Sequence, residues 1–369
     1  MLQLTRRKLV KGLLALPWLA SDHMSVAAGV ASSPGLREAA KTRGVFYGCA
    51  VKSGVLKDDM GFAGAVSDEA GILVPEYELK RGTVEAKRGA YDFSGSDRLL
   101  DFAQTHGMMM RGHTLVWHAA NPAWLAESLK NKPDERILTD YIAAVAGHYR
   151  GKFHSWDVVN EAIEPKQGDA KGLRVDSPWY QALGEGYIAT AFHAARQADP
   201  QALLFYNDYN VEMASWRDSA RRVAVLRLLE KLLSAGVPID GFGVQAHLRC
   251  YGTRFNAAVF ADFLNEIAAM GLKIMVTELD IADIGGPADV KQRDRDIGEL
   301  GRRFLNVALA NPAVTGILTW GLSDKYSWLS EHADYKWPDG SLSRGLPLDG
   351  DFQRKDLWRA LQSGFLGKP

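Results

Sequence analysis

The sequence alternates short apolar runs with longer segments whose apolar residues recur at helical spacing. Strands are predicted at 44–51, 71–76, 108–116, 153–160, 202–207, 241–247, 272–278 and 314–320. Helices are predicted at 96–106, 134–149, 177–198, 215–235, 256–270, 290–310 and 356–362. No strong helix is predicted between the first two strands. This alternation predicts an α/β fold in one domain, a closed (β/α)8 TIM barrel.

The composition is that of an ordinary globular protein, with 369 residues, 47% of them hydrophobic and 24% charged. The formal net charge is zero, so nothing indicates a nucleic-acid or anionic membrane partner. No repeat or linker marks a second domain, and we expect a monomer. Cys49 and Cys250 lack metal-ligand spacing. They form either one disulfide or two free thiols, of which free thiols are the commoner case.

The N-terminus has the pattern of a targeting segment. Arg6, Arg7 and Lys8 precede a short apolar run at 12–20, which is followed by small residues. This pattern predicts a signal peptide, because the apolar run is too short to span a membrane. The adjacent arginines resemble a twin-arginine export signal; the alternative is a basic, disordered tail. We therefore expect a leader at 1–33, a barrel at 34–369, and a periplasmic or secreted protein free of the membrane.

Two predicted strands end in a glutamate. The fourth ends at Glu161 in WDVVNEA (156–162), and the seventh ends at Glu278 in KIMVTELD (273–280). Functional residues of a parallel barrel lie at the C-terminal ends of its strands, so both acids are expected on one rim. The pair indicates chemistry that uses two carboxylates. A single glutamate in this position would more often be a solvated charge.

Five motifs occur in order along the chain: RGHTLVWH (111–118), WDVVNEA (156–162), GVQAH (243–247), TELDI (277–281) and TWG (319–321). With these motifs, residues 35–366 resemble the family 10 glycoside hydrolases, which are mainly endo-β-1,4-xylanases. The resemblance implies a retaining enzyme that cleaves internal β-1,4-xylosidic bonds of xylan or xylo-oligosaccharides. It also implies that no cofactor is needed.

The resemblance implies roles for the two glutamates and their neighbours. Glu161 is expected to be the acid/base and Glu278 the nucleophile, with their carboxyl groups about 5–5.5 Å apart. Glu161 must carry a proton at rest while Glu278 is ionised, so their environments must differ. Asn160 is expected to hold the sugar 2-hydroxyl. His247 and Asp280 are expected to orient the nucleophile and keep it ionised.

The resemblance also implies a set of substrate-binding residues: Glu76, Lys80, His113, Trp117, His118, Tyr209, Gln245, Trp320 and Trp328. The last two should wall the glycone side, since a flat ring suits the apolar face of a sugar. Core packing is the alternative for Trp328. The histidines could suggest a metal, but no carboxylate or cysteine completes a ligand set at local spacing, so we predict none.

The second strand departs from the family pattern. The family usually has Glu-Asn-x-x-Lys-Trp where this chain has EYELKR (76–81). Tyr77 replaces an Asn that binds the second glycone sugar, and a phenol cannot reproduce the donor and acceptor of an amide. We predict an altered chain-length or decoration preference and weaker binding of plain xylan. Arg81, which replaces a Trp, is expected on the solvated rim, with pairing to an acidic substituent such as glucuronic acid as the alternative.

Two other functions stay open. A barrel that only binds carbohydrate is disfavoured, because binding alone needs neither Glu161 nor Glu278. A β-1,4-glucanase is a second alternative, since related barrels share glutamates at their strand ends.

Overall fold

Parallel strands form the centre of the fold in the computed structural model, which describes residues 34–368. The strands are β1 Phe46–Val51, β2 Ile72–Pro75, β3 Met109–Trp117, β4 Ser155–Asn160, β5 Leu203–Asp208, β6 Gly241–Val244, β7 His247–Arg249, β8 Lys273–Ala282 and β9 Val314–Thr319. The sheet closes because β9 pairs with β1 and β8 pairs with β6. The predicted (β/α)8 barrel is confirmed. The predicted leader lies outside the described residues.

Helices connect the strands and surround the barrel. They are α1 Leu36–Thr42, α2 Ser53–Asp58, α3 Met60–Glu69, α4 Arg81–Val84, α5 Ser94–Thr105, α6 Ala123–Asn131, α7 Arg136–His148, α8 Pro178–Leu183, α9 Tyr187–Ala198, α10 Trp216–Ser234, α11 Ala257–Ala269, α12 Val290–Ala308 and α13 Asp356–Phe365. In residues 34–368, no helix is both long and apolar enough to cross a membrane.

The connection between β1 and β2 differs from its prediction, since it contains α2 and α3. Glycines at 61 and 64 weaken the helical signal of this segment. The side chain of Asp59 caps α3 by accepting a hydrogen bond from the Phe62 amide. Phe62 and Val66 are buried against the core. Tertiary packing therefore stabilises a helix that the local sequence only weakly favours.

The predicted strand 241–247 is divided into β6 and β7. Ala246 has φ +62°, in the left-handed region, so the extended backbone is interrupted there. After the break, β7 pairs only with the second half of β8, and His247 lies opposite Asp280. The predicted helix 177–198 is likewise interrupted, at Gly184, whose φ is +63°.

Apolar side chains fill the barrel beneath the rim that carries the C-terminal strand ends. Ala50, Val74, Phe205, Met275 and Leu318 pack together from five different strands. Inward-pointing residues of such a barrel form a packed core rather than a pore. This layer supports the rim side chains from below.

The two cysteines do not form a disulfide. Cys49 is buried, Cys250 is partly exposed, and both are free. The disulfide that the sequence left open is therefore not formed.

Candidate active site

A cleft of about 450 Å³ opens at the C-terminal ends of the barrel strands. It is lined by Glu76, Tyr77, Lys80, His113, Trp117, Asn160, Glu161, Tyr209, Asn210, Gln245, His247, Arg249, Glu278, Trp320, Trp328, His332 and Tyr335. Most of the residues predicted for the site therefore lie around one cavity. His118, Asp280 and Arg81 do not line it.

Glu278, on β8, is buried at the bottom of the strand-end rim, with 5% of its surface exposed. Asn207 donates a hydrogen bond to its Oε1 at 2.8 Å, and the Nε2 of His247 lies 3.3 Å from its Oε2. Burial raises the pKa of Glu278, but the hydrogen bond from His247 and the charges of His113 and His247 outweigh it. The pKa lies below its ordinary value, so Glu278 is ionised at neutral pH.

His247 is held between two carboxylates. Its Nδ1 lies 2.9 Å from Asp280 Oδ1, on the side of the ring away from Glu278. Burial lowers the pKa of His247, but the charge and hydrogen bond of Asp280 and the contacts with Glu278 raise it well above its usual range. The imidazole is therefore protonated and donates at both nitrogens. Asp280 also accepts a hydrogen bond from the Trp328 indole at 2.6 Å, which ties the cleft wall to this pair.

Glu161 follows directly after β4 and has φ +58°, a left-handed conformation that costs a non-glycine residue about 1–3 kcal/mol. Its backbone amide donates to the Asn207 carbonyl at 2.9 Å, which holds this conformation. The indole of Trp117 donates to Oε2 at 2.9 Å, while the amides of Gln245 and Asn160 donate to Oε1 at 2.9 and 3.1 Å. Donors on both oxygens fix the direction in which the carboxyl group faces the cleft.

Asn207, at the end of β5, links the two acids. Its Nδ2 donates to both Asn160 Oδ1 and Glu278 Oε1, each at 2.8 Å. The hydroxyl of Thr277 donates to Asn207 Oδ1 at 2.7 Å and so sets the amide orientation. Because Asn160 also donates to Glu161, a continuous series of hydrogen bonds joins the two carboxyl groups. This role of Asn207 was not predicted from the sequence, where the available signal was a polar residue at the end of an apolar strand.

Aromatic rings form the walls of the cleft around a lysine. Trp320 is 7% exposed and Trp328 is half-buried, and both line the cavity. The Nζ of Lys80 lies 5.2 Å from the ring centre of Trp117 and 5.8 Å from that of Trp320. Burial lowers the pKa of Lys80, although the negative charge of Glu278 and of the neighbouring acids acts to raise it. The cleft thus combines flat apolar surfaces with donors suited to sugar hydroxyls.

Tyr209 and His118 lie near Glu161 in different ways. Tyr209 lines the cleft, with the guanidinium of Arg221 4.0 Å from its ring centre, and its hydroxyl accepts from Arg174 at 3.0 Å. His118 lies behind the lining, with its Nδ1 3.8 Å from Glu161 Oε2. Burial lowers the pKa of His118 despite the opposing charge of Glu161, so the ring is neutral.

Two further residues of the cleft lining, Glu76 and Tyr77, follow directly after β2. Tyr77 is 44% exposed, and the ammonium groups of Lys52 and Lys80 lie 5.2 and 4.7 Å from its ring centre. Lys52 Nζ is 3.4 Å from Glu76 Oε1. Burial raises the pKa of Glu76 to about 7, although the charges of Lys52 and Lys80 oppose the shift.

Arg81 is not part of the cleft, and both expectations for it are wrong. Only 5% of its surface is exposed, and its Nε donates to Glu85 Oε2 at 2.9 Å. Its guanidinium lies 4.2 Å from the ring centre of Tyr141 and 5.2 Å from that of Trp179. A planar guanidinium can stack on aromatic rings. Arg81 therefore fills an aromatic-lined position behind the cleft wall, with Glu85 balancing its charge.

Two histidines of the cleft, His113 and His247, contact carboxylates rather than forming a ligand set. His113 Nδ1 is 3.1 Å from Asp157 Oδ2 and 4.0 Å from Glu278 Oε1. In the described part of the chain, no three His, Cys, Asp or Glu side chains are placed to share a metal ion.

Comparison with known proteins agrees with this geometry. The sequence profile of glycosyl hydrolase family 10 matches residues 35–363. Endo-1,4-beta-xylanase B from Thermotoga neapolitana is 37% identical over 263 residues, which cover 71% of this chain and 72% of the relative. Endo-1,4-beta-xylanase B from Paenibacillus barcinonensis is 32% identical over 337 residues, covering 85% and 94%.

Solved structures give the same result. Native xylanase 10B from Thermotoga maritima matches with a TM-score of 0.79 and 31% identity, covering 90% of this chain and 98% of that one. Xylanase 10B from Thermotoga petrophila RKU-1, in complex with xylobiose, has the same TM-score at 32% identity, covering 90% and 97%. Fold and site together define a retaining glycoside hydrolase built on a (β/α)8 barrel. The chain belongs to glycosyl hydrolase family 10.

Proposed function

We propose that the protein is an endo-1,4-β-xylanase that hydrolyses internal bonds of xylan or xylo-oligosaccharides with retention of configuration. The observation that carries the proposal is the hydrogen-bonded series joining Glu278, Asn207, Asn160 and Glu161 beneath one cleft. The xylanase names of the relatives and the xylobiose complex of one solved structure support xylan as the substrate.

In the first step, a carboxylate oxygen of Glu278 attacks the anomeric carbon as the glycosidic C–O bond breaks. Glu161 gives its proton to the leaving oxygen, and a covalent glycosyl-enzyme forms. In the second step, Glu161 takes a proton from water, the water oxygen bonds to the anomeric carbon, and Glu278 leaves as the carboxylate. His247 keeps Glu278 ionised before attack. The carboxyl separation of about 5–5.5 Å required for this route stays a prediction.

The remaining site residues have supporting roles in the proposal. Asn160 holds the sugar 2-hydroxyl, a contact that strengthens at the transition state. Trp320 and Trp328 support the glycone sugar, while Tyr209 supports the leaving side. Tyr77 alters the second glycone position, so we infer weaker binding of plain chains there.

Product analysis on xylan and on cellulose tests the proposal. Wild type should release xylo-oligosaccharides from xylan, with the β-anomer appearing first by NMR. Glu278→Ala and Glu161→Ala should each lower turnover by at least about 10²-fold. Sugar binding without wild-type turnover would favour a non-catalytic barrel, and faster cleavage of cellulose would favour a β-1,4-glucanase.

The two variants should differ from each other on an aryl xyloside with an acidic phenol as leaving group. Such a phenol needs no proton, so Glu161→Ala should form the glycosyl-enzyme and then release it slowly. Added azide should accelerate that release and yield the β-glycosyl azide. Glu278→Ala should form no glycosyl-enzyme. Equal behaviour of both variants would contradict the assigned roles.

We also propose export as a monomer to the periplasm or outside the cell by a twin-arginine route, with no membrane association after signal removal. The support is the sequence pattern at 1–33 alone. Replacing Arg6 and Arg7 together by Lys should abolish export, as measured by activity in cell fractions. Unchanged export would contradict the route, and light scattering of the purified protein would test the monomer.

A further inference from the structure

A second cavity of about 430 Å³ opens beside the cleft, and Arg249 lines both. Arg249 lies two residues after His247 on β7, and side chains two apart on a strand point to the same face. Its Nη2 donates to the Tyr335 hydroxyl at 3.1 Å, and the Tyr335 ring packs edge-on against Trp328 at 5.2 Å. The second cavity therefore borders the wall that carries Trp328.

Two further arginines, Arg254 and Arg303, line the second cavity, which we call the arginine cavity. Arg303 donates to the Phe255 carbonyl at 3.3 Å, and its guanidinium lies 5.9 Å from the Phe255 ring centre. Within the described residues, Arg249, Arg254 and Arg303 form no ion pair with a carboxylate. Three guanidinium groups thus surround one concave surface without a bound counter-charge.

The two acids that line the arginine cavity already have hydrogen-bond or ion-pair partners. Asp296 accepts hydrogen bonds from the Tyr251 hydroxyl at 2.8 Å and from Gln292 at 2.7 Å. Glu299 is paired with Arg302 at 2.9 Å. Burial, together with the charge of Asp296, raises the pKa of the Cys250 thiol to about 11, so this side chain is neutral. Asp296 keeps its negative charge, because both of its donors are neutral, but three arginines outnumber it and the net charge of the lining is positive.

We propose that the arginine cavity binds the carboxylate of an acidic sugar branch, of the hexuronic acid type, on a xylan chain held in the cleft. Guanidinium groups bind carboxylates through paired, charge-assisted hydrogen bonds. A main chain stacked on Trp328 would direct a branch past Tyr335 toward Arg249. The inference rests on the proposed xylanase function. In this proposal Arg249, Arg254 and Arg303 recognise the acidic branch, a role that the sequence had suggested for Arg81.

The test uses three matched xylo-oligosaccharides: one linear, one with a single glucuronic acid branch, and one whose branch carboxyl is reduced to an alcohol. Wild type should prefer the acidic over the reduced branch by about tenfold in kcat/KM. The double variant Arg254→Gln/Arg303→Gln should bring this ratio close to one. Arg254→Lys/Arg303→Lys, which keeps the charge but not the paired hydrogen bonds, should retain part of the preference. Arg136→Gln, which replaces an exposed arginine that is paired with Asp134 and does not line the cavity, is the control and should leave the ratio unchanged.

A binding arm separates this inference from the proposed function. Calorimetry with the Glu278→Ala variant compares the acidic and reduced oligosaccharides without turnover. Absence of wild-type turnover on every xylo-oligosaccharide would overturn the proposed function. The calorimetry would still show whether the arginine cavity binds the acidic oligosaccharide more tightly than the reduced one. Turnover of all three substrates with equal kcat/KM, unaffected by the double Gln variant, would overturn the inference and leave the xylanase standing. The preference should also weaken at high salt.

Discussion

The Nε2 of His247 lies 3.3 Å from a carboxylate oxygen of Glu278, and this contact dominates the forces that keep the acid ionised. Burial raises the pKa of Glu278, but the hydrogen bond from His247 and the nearby imidazole charges lower it by a larger amount. The imidazolium persists because Asp280 lies 2.9 Å from its other nitrogen. The β7–β8 pairing that places His247 opposite Asp280 therefore sets the charge state of the proposed nucleophile.

Replacing His247 by Asn should move the acidic limb of the pH–activity profile upward. Attack requires ionised Glu278, so kcat/KM falls as the pH drops through the pKa of this residue. Without the imidazolium, only the charge of His113 and the hydrogen bond from Asn207 oppose burial, so that pKa rises and the limb shifts to higher pH. At neutral pH, kcat/KM should fall by at least about tenfold. Profiles on an aryl xylobioside check this, with Asp280→Asn expected to shift the limb in the same direction; an unmoved limb would refute the role of His247.

Replacing Asn207 should uncouple the two acids. Asn207→Ala removes the donor to Glu278 Oε1 and to Asn160 Oδ1, and kcat/KM should fall by about ten- to a hundredfold. Asn207→Asp adds a negative charge beside Glu278, so it should also move the acidic limb to higher pH. Thr277→Val, which removes the hydroxyl that orients the amide but leaves both Asn207 donor contacts available, should have a smaller effect. If both Asn207 variants had the same kinetics as wild type, the hydrogen-bonded series that joins the two acids would have no catalytic function.

The barrel could be predicted because each strand and most helices carry a local apolar pattern. Predictions failed where the backbone leaves that pattern. The break at Ala246 has a left-handed backbone conformation, but the residue is not a glycine, so nothing in the sequence signals it. Helix α3 contains glycines and is stabilised by burial of Phe62 and Val66, which depends on distant contacts. Packing between elements, rather than local propensity, decides such segments.

The two glutamates of the cleft could be predicted because Glu161 and Glu278 each lie within a motif at the end of a predicted strand. Arg81 could not, because its partners include the Ile137 carbonyl and the Tyr141 ring on α7, far along the chain. Asn207 was missed for a similar reason. Its function comes from hydrogen bonds that join three strands, and no single segment of the sequence contains them.

Replacing Tyr77 by Asn should improve the cleavage of plain chains. The exposed phenol lines the cleft with two lysine ammonium groups close to its ring, where an amide would offer both donor and acceptor. kcat/KM on linear xylotetraose should rise by about two- to tenfold, the range of one neutral hydrogen bond. Tyr77→Phe serves as the control and should bring no gain. Equal rates for the Asn variant and wild type would mean that Tyr77 does not limit this end of the cleft.

Replacing Arg111 by Met should destabilise the fold through the charge it leaves behind. Arg111 is fully buried on β3, pairs with Asp157 and donates to Ser155 Oγ at 2.8 Å. Breaking a buried ion pair from one side costs about 3–5 kcal/mol, because the remaining carboxylate stays buried without its counter-charge. Urea denaturation measures the loss. Arg136→Met, which breaks an exposed ion pair with Asp134, is the matched control and should leave the midpoint close to that of wild type. Adding Asp157→Asn to Arg111→Met should recover part of the stability, and equal losses at Arg111 and Arg136 would contradict the argument.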